Sequence, residues 1–155
     1  MANKTKPQVR SSNAADIGIG RRLRLTHLAF SQALRDELKK DGFSFGQFVH
    51  LERLWEEDGL TQVELSKRVG VQMASSTAVI AQLDELKLIT RVRDAVDKRK
   101  IIVNLTAKGA ALREPLLARV RATNVVARVG LSAAELTQLF SLLERILDNL
   151  HDAHS

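Results

Sequence analysis

Apolar residues recur at helical spacing along most of the chain and switch to strand spacing in one place. From Ile17 to about Lys40, Leu23, His27, Phe30, Leu34 and Leu38 fall on one face with Leu28 beside them, which predicts a long helix stopped by Gly42. Ser44 and Gln47 have capping-box spacing, and Phe45, Phe48, Leu51, Leu54 and Trp55 carry a second helix to about Glu57. Asp58-Gly59 is a turn signal. Thr61 and Glu64 repeat the capping spacing. Leu60 before that cap and Leu65 after it can close as a hydrophobic staple, and Gly70 suits the left-handed residue that ends the helix. The next helix is predicted from about Gln72 to Leu86, with Val79, Leu83 and Leu86 as its buried stripe. Its opposite face carries Met73, Ala74, Thr77, Ala78 and Ala81, small enough for a close approach to a major groove about 12 Å wide.

After Leu86 the period becomes two. Ile89, Arg91 and Arg93 alternate with Thr90 and Val92, and Ile101, Ile102, Val103 and Leu105 form a second β-favouring run beyond a charged tip, Asp94 to Arg99. Thr106 caps a helix expected from Ala107 to about Val129. Pro115 lies inside it and costs about 3 kcal/mol in a regular helix, so a kink is expected between Ala111 and Pro115. Gly130 ends that helix, and Ser132 and Glu135 cap the last one. There Leu136, Leu139, Leu143, Ile146 and Leu150 form a stripe widened by Phe140 and Leu147. So broad a stripe on a small chain needs cover. The first and fifth helices and their symmetry mates are the available partners, which implies an intertwined two-fold homodimer.

Two short helices joined by a glycine turn and followed by a basic hairpin make a winged helix-turn-helix, a device for duplex DNA. The expected fold class is therefore mainly α, with a small β-hairpin wing. Residues 1–16 are polar and aperiodic and read as a flexible arm. Residues 17–155 form one domain, with 17–41 and 107–151 as dimerisation helices and 44–105 as the DNA-binding lobe.

Charge sharpens this picture. The chain has a net charge of +6 and a pI near 10.1, which favours a polyanionic partner. The hairpin holds six basic residues (Lys87, Arg91, Arg93, Lys98, Arg99, Lys100) against Asp94 and Asp97. Phosphate contacts are expected from Ser66, Lys67 and Arg68 and from the wing through Arg93, Lys98, Arg99 and Lys100. Base readout is expected from Gln72, Ser75, Thr77 and Gln82. Glutamine pairs with adenine and methyl groups suit thymine, so A·T-rich half-sites about one helical turn apart are predicted.

Other classes find little support. RNA readers stack bases on aromatic side chains. Here aromatics are 4% of the chain, tyrosine is absent, and none lies in the wing or the second helix of the motif, so docking to RNA or protein is the alternative reading. No glycine-rich phosphate loop, metal cluster or nucleophile with a base is present, and no enzyme or cofactor is expected. His151 and His154 at i, i+3 read as a solvated tail and not as a metal site. There are no cysteines, which excludes a thiol redox switch. No run of about 18 apolar residues and no secretory h-region occurs, so a cytoplasmic, nucleoid-associated protein is expected.

From Ser44 to Gly109 the chain resembles the MarR-type winged-helix transcriptional regulators. Leu60-Thr61-Gln62 with Glu64-Leu65, Asp97-Lys98-Arg99, and Leu105-Thr106 with Lys108-Gly109 carry the resemblance. It departs at Ala78, where arginine is frequent, at Lys87 in place of a glycine, and at Ala95 in place of a proline. The resemblance implies a homodimer on pseudo-palindromic operators, commonly a repressor released by a small, often aromatic, ligand. It also implies that Arg99 enters the minor groove and that Asp97 helps fix the wing. An effector such as an aromatic acid or its thioester is expected between the first, second and fifth helices, with Arg24 holding the anionic group and His27, Phe45 and Phe48 near the ring.

Overall fold

The computed structural model describes residues 18–153. The flexible-arm assignment for residues 1–16, and His154, lie outside the described residues. The order of elements is α1 (Ile19–Lys39), α2 (Phe45–Glu56), β1 (Leu60–Thr61), α3 (Gln62–Val69), α4 (Met73–Glu85), β2 (Ile89–Arg93), β3 (Ile101–Leu105), α5 (Ala107–Ala111), α6 (Arg113–Ala127) and α7 (Ala133–Asp152).

The helix starts are built locally. At Ser44/Gln47, Thr61/Glu64 and Ser132/Glu135 both reciprocal bonds of the capping box form, so each helix supplies its own partners for the free N–H groups of its first turn. Gly70 ends α3 in the left-handed conformation, φ 76°, as its position implies.

The sheet has three strands and not two. The two-residue β1 pairs antiparallel with β3, placing Leu60 opposite Val103, and β3 also pairs with β2. Leu60 and Leu65 are both buried in the core. Asp58 supports the added edge: its Oδ1 accepts from the Gly59 and Leu105 backbone N–H groups at 2.9 and 2.8 Å.

The core joins the lobes. Leu34 and Leu38 of α1, Phe48, Leu51 and Leu54 of α2, Leu65, Ile80, Leu83, Leu88, Ile89, Val103 and Leu116 of α6 form one buried cluster with Leu60. Trp55 packs on it edge-to-face with Phe48, ring centroids 6.3 Å apart, and its indole N–H donates to the Gly109 carbonyl at 3.1 Å. Gly109 is a forced choice: a Cβ there would lie 2.0 Å from the Leu88 carbonyl oxygen. Arg119 of α6 grips Asp41 through two bonds of 2.7 and 2.9 Å, tying α6 to the end of α1. The guanidinium holds the Asp41 carboxyl below its usual range.

Three sequence expectations need correction. The helix expected from Ala107 to Val129 is interrupted and not merely kinked: α5 stops at Ala111 and α6 begins at Arg113, with Pro115 in its first turn, where a proline sacrifices no helix bond. The buried stripe of α4 is Ser76, Ile80 and Leu83, with Val79 half-buried. Leu86 is 43% exposed, because the chain reverses just after it at Lys87, which takes a left-handed φ of 60°.

No residue of α7 is buried. Leu139, Phe140 and Leu147 lie open, and on α1 so do Leu23, Leu25 and Leu28. Among the described residues no helix is long and apolar enough to cross a membrane.

Candidate nucleic-acid interface

α3 and α4 meet at Gly70–Gln72, and the outward side of α4 is small and polar. Gln72, Met73, Ala74, Ser75, Thr77 and Ala78 are all exposed. Thr77 gives its hydroxyl proton to the Met73 carbonyl at 2.8 Å, which ties the hydroxyl to its own helix. Gln72 caps α4 by backbone position alone and makes no side-chain capping bond. Gln82 is exposed but engaged: its Oε1 accepts from Gln47 of α2 at 3.3 Å.

On α3, Lys67 is exposed, and Arg68 is exposed and paired with Glu57 at 2.6 Å. Ser66 does not belong to this surface. It is 6% exposed and donates its hydroxyl to the Val71 carbonyl at 3.2 Å, so it closes the turn instead of facing a phosphate.

The wing is a locked tip carrying open cations. Asp94 Oδ1 accepts from the Val96 and Asp97 backbone N–H groups at 2.9 and 2.7 Å. Asp97 Oδ1 accepts from the Arg99 backbone N–H and from Arg99 Nε, both at 3.1 Å. Backbone N–H donors hold the Asp94 carboxyl below its usual range, and the Arg99 guanidinium does the same for Asp97. Arg93 reaches across to the Lys98 carbonyl at 3.5 Å. Lys98 and Lys100 are exposed, and the Arg99 side chain is 92% exposed even while paired. Sequence reading missed the brace behind the wing. Arg91 of β2 reaches Asp84 of α4 through Nε and Nη2, both at 2.9 Å, fixing the wing to the helix beside it. The alternation of Arg91 with Val92 shows which face Arg91 takes but not its partner seven residues back.

A cleft of about 660 Å³ opens behind this surface, lined by His27, Phe30, Ser31 and Leu34 of α1, by Phe45, Phe48, His50, Glu52 and Arg53 of α2, and by Ser75 and Val79 of α4. It brings His27, Phe45 and Phe48 together. Arg24 is not among its lining residues, and neither is any residue of α5 or α6: the cleft faces the helix-turn-helix and not the fifth predicted helix. Its polar wall mixes signs. Burial raises the Glu52 carboxyl, and Arg53 Nε is buried without a hydrogen-bond partner while Nη1 holds Glu56. Arg35 lies over the Phe45 ring, 5.4 Å from its centroid.

An exposed small-residue helix beside a braced basic wing defines a winged-helix nucleic-acid binder. Comparison with known proteins agrees. The MarR family model matches residues 43–101. The chain is 30% identical over 118 residues to the organic hydroperoxide resistance transcriptional regulator of Bacillus subtilis, covering 74% of this chain and 76% of that one. The fold superposes on wild-type MarR of Escherichia coli with a TM-score of 0.78 at 26% identity, covering 84% of this chain and 97% of that one. BpsR of Bordetella bronchiseptica, whose DNA binding is regulated by 6-hydroxynicotinic acid, gives 0.75 at 26% identity over 83% and 97%. The chain belongs to the MarR family, and it is a transcriptional regulator built on that family's winged-helix DNA-binding fold.

Proposed function

We propose that the chain acts at the nucleoid as a homodimeric repressor of pseudo-palindromic, A·T-rich operators, with residues 44–105 as its reading lobe. The observation that carries this is the pairing of the open face of α4 with the Arg99 tip. Gln72, Ser75 and Thr77 lie at the N-terminal half of α4, where a recognition helix meets base edges, while Lys98, Lys100 and the Asp97-paired Arg99 stand exposed at the wing for the neighbouring minor groove and its phosphates. Lys67 and Arg68 supply phosphate contacts, with Arg68 exchanging Glu57 for the DNA. Gln82 lies further along α4 and contributes after releasing Gln47.

The homodimer follows from surface that one chain leaves open. The apolar face of α7 has no cover, and a groove of about 500 Å³ between α1 and α6 is lined by Leu25, Ala29, Phe30, Ala33, Val126 and Ala127. A second copy supplies a matching stripe to that groove, with helices 17–41 and 107–151 making the contact.

Release of the operator is assigned to a small aromatic acid or its thioester in the cleft, a volume within the range of small-molecule sites. Its aromatic and apolar lining supports this, as does the regulation of BpsR by a hydroxylated pyridine acid. The binding of operator and effector is tested by selecting random duplexes on the purified protein and then screening aromatic acids, 6-hydroxynicotinic acid included, for displacement. A·T-rich inverted repeats support the reading; G-rich half-sites or no enrichment refute it. Displacement that survives Arg24→Ala removes Arg24 from the effector site.

A further inference from the structure

His50 is 1% exposed on the inner side of α2; it borders the cleft, but no contact to DNA or effector has been given to it. Its Nδ1 stands 2.7 Å from the Gly46 carbonyl oxygen of its own helix, and its Nε2 stands 3.0 Å from the Ser76 hydroxyl of α4. A carbonyl oxygen can only accept, so Nδ1 carries a proton; burial disfavours a second proton on the ring, which leaves Nε2 its lone pair and makes the Ser76 hydroxyl the donor to it. The neutral ring is held at both nitrogens, and the same burial lowers its pKa. Ser76 is itself fully buried, on the stripe where Ile80 and Leu83 make only apolar contacts. One turn before His50, a Cβ on Gly46 would meet Val79 Cγ2 at 3.4 Å, so α2 and α4 run close along this line.

Apolar side chains that interdigitate set the orientation of two packed helices only within a tolerance. A hydrogen bond from a ring fixed at both ends, with its steep dependence on angle, narrows that tolerance. Ser76 lies between Ser75 and Thr77, the exposed residues assigned to base readout, and a rotation of α4 that breaks the bond carries both of them round.

We propose that His50 is a positioning residue for DNA reading: through Ser76 it sets the rotation of α4 about its own axis, and so the register of Ser75 and Thr77 on the bases. This rests on the reading of α4 as the operator-reading helix. The bond bears on discrimination and not on attraction, because the cations that meet phosphates sit on α3 and the wing.

The test compares wild type with Ser76→Ala, which leaves the His50 lone pair without a donor and adds no bulk. Affinities are measured for the selected operator and for a scrambled duplex of equal length, with unfolding followed in parallel. The expected result is a loss of about tenfold in the operator-to-scrambled ratio, the scale of one buried hydrogen bond, with scrambled binding unchanged. A variant that is less stable but keeps the wild-type ratio overturns the proposal, since a purely structural bond moves stability alone. If Ser76→Ala does not fold, Ser76→Cys, with its weaker donor, gives the same comparison. Nitrogen NMR of the wild-type imidazole is a second, independent readout: an Nδ1–H tautomer is expected, and an Nε2–H or doubly protonated ring overturns the bond as described. A wild-type ratio of one is the separate failure of operator reading itself, and it takes the positioning role down with it even where NMR finds the bond.

Discussion

Replacing Asp97 tests whether the wing acts by shape or by charge alone. Its carboxylate accepts the Arg99 backbone N–H and the Arg99 guanidinium, and its own N–H is held by Asp94. Arg99→Ala removes a cation suited to a narrow A·T minor groove and costs about 1–3 kcal/mol of operator binding per protomer. It also flattens the salt dependence, by about 0.9 in log–log slope for each phosphate neutralisation lost. Asp97→Ala makes each chain more positive, so charge counting predicts tighter binding. The geometry predicts looser binding, because the Arg99 backbone loses its acceptor and the guanidinium its anchor. Arg99 is 92% exposed and Asp97 only half-buried, so the ion pair itself contributes little to global folding, and unfolding measured beside the titration separates any change in stability from the change in binding. Asp97→Asn keeps an acceptor for the backbone N–H and falls between wild type and Asp97→Ala. Operator titration at two salt concentrations measures all three. The folded pKa of Asp97 lies below its ordinary 3.8, so its contribution is present above 3.8 and lost as pH falls through the folded value. The comparison is accordingly flat between about pH 5 and 8 with respect to this group. A tighter Asp97→Ala complex refutes the positioning argument and reduces the wing to a diffuse basic patch.

Three further outcomes are expected. Gly109→Ala drives a methyl into the Leu88 carbonyl and disturbs the Trp55 bond, destabilising the fold by about 3 kcal/mol in urea unfolding; a change under about 1 kcal/mol contradicts the packing described. Lys87→Gly relieves a left-handed residue at a cost of extra freedom in the unfolded chain, for a net gain of about 0.5–1 kcal/mol read as a raised urea midpoint at constant slope. Leu143→Glu with Ile146→Glu places charge on the α7 face, and light scattering then finds monomer or insoluble protein; an intact dimer removes α7 from the interface.

What the sequence showed and what it hid divide by range. The capping-box helix starts, the Gly70 stop and the wing strands rest on interactions within four residues or on a period, and all are visible in the spelling of the chain; the start of α6 at Arg113 has no such mark. β1 is two residues long, and no period can mark it; it exists because β3 offers a free edge. The buried stripe of α4 lies three residues earlier than its apolar spacing implies, because Ser76 looks like a surface residue until His50, 26 positions earlier, is placed against it. Ser66 misled in the opposite direction, since its hydroxyl is consumed by the turn it helps to close. The cleft gathers α1, α2 and α4, and spacing along the chain carries no information about which helices surround a void. Arg24 lies three residues before His27 on α1, yet only His27 reaches the cleft wall.

The unburied α7 has a consequence in mass action. A twenty-residue helix with no residue buried by its own chain is marginal in water, and the proposed partner copy is what keeps it ordered. Its order is then a function of how many copies are present. When the regulator is scarce, association is lost together with the structure that supports it, and the linkage of folding to assembly sharpens the response to dosage. On the proposed dimer, the quantity of this protein is then itself a signal, read by the same helix that meets the partner copy.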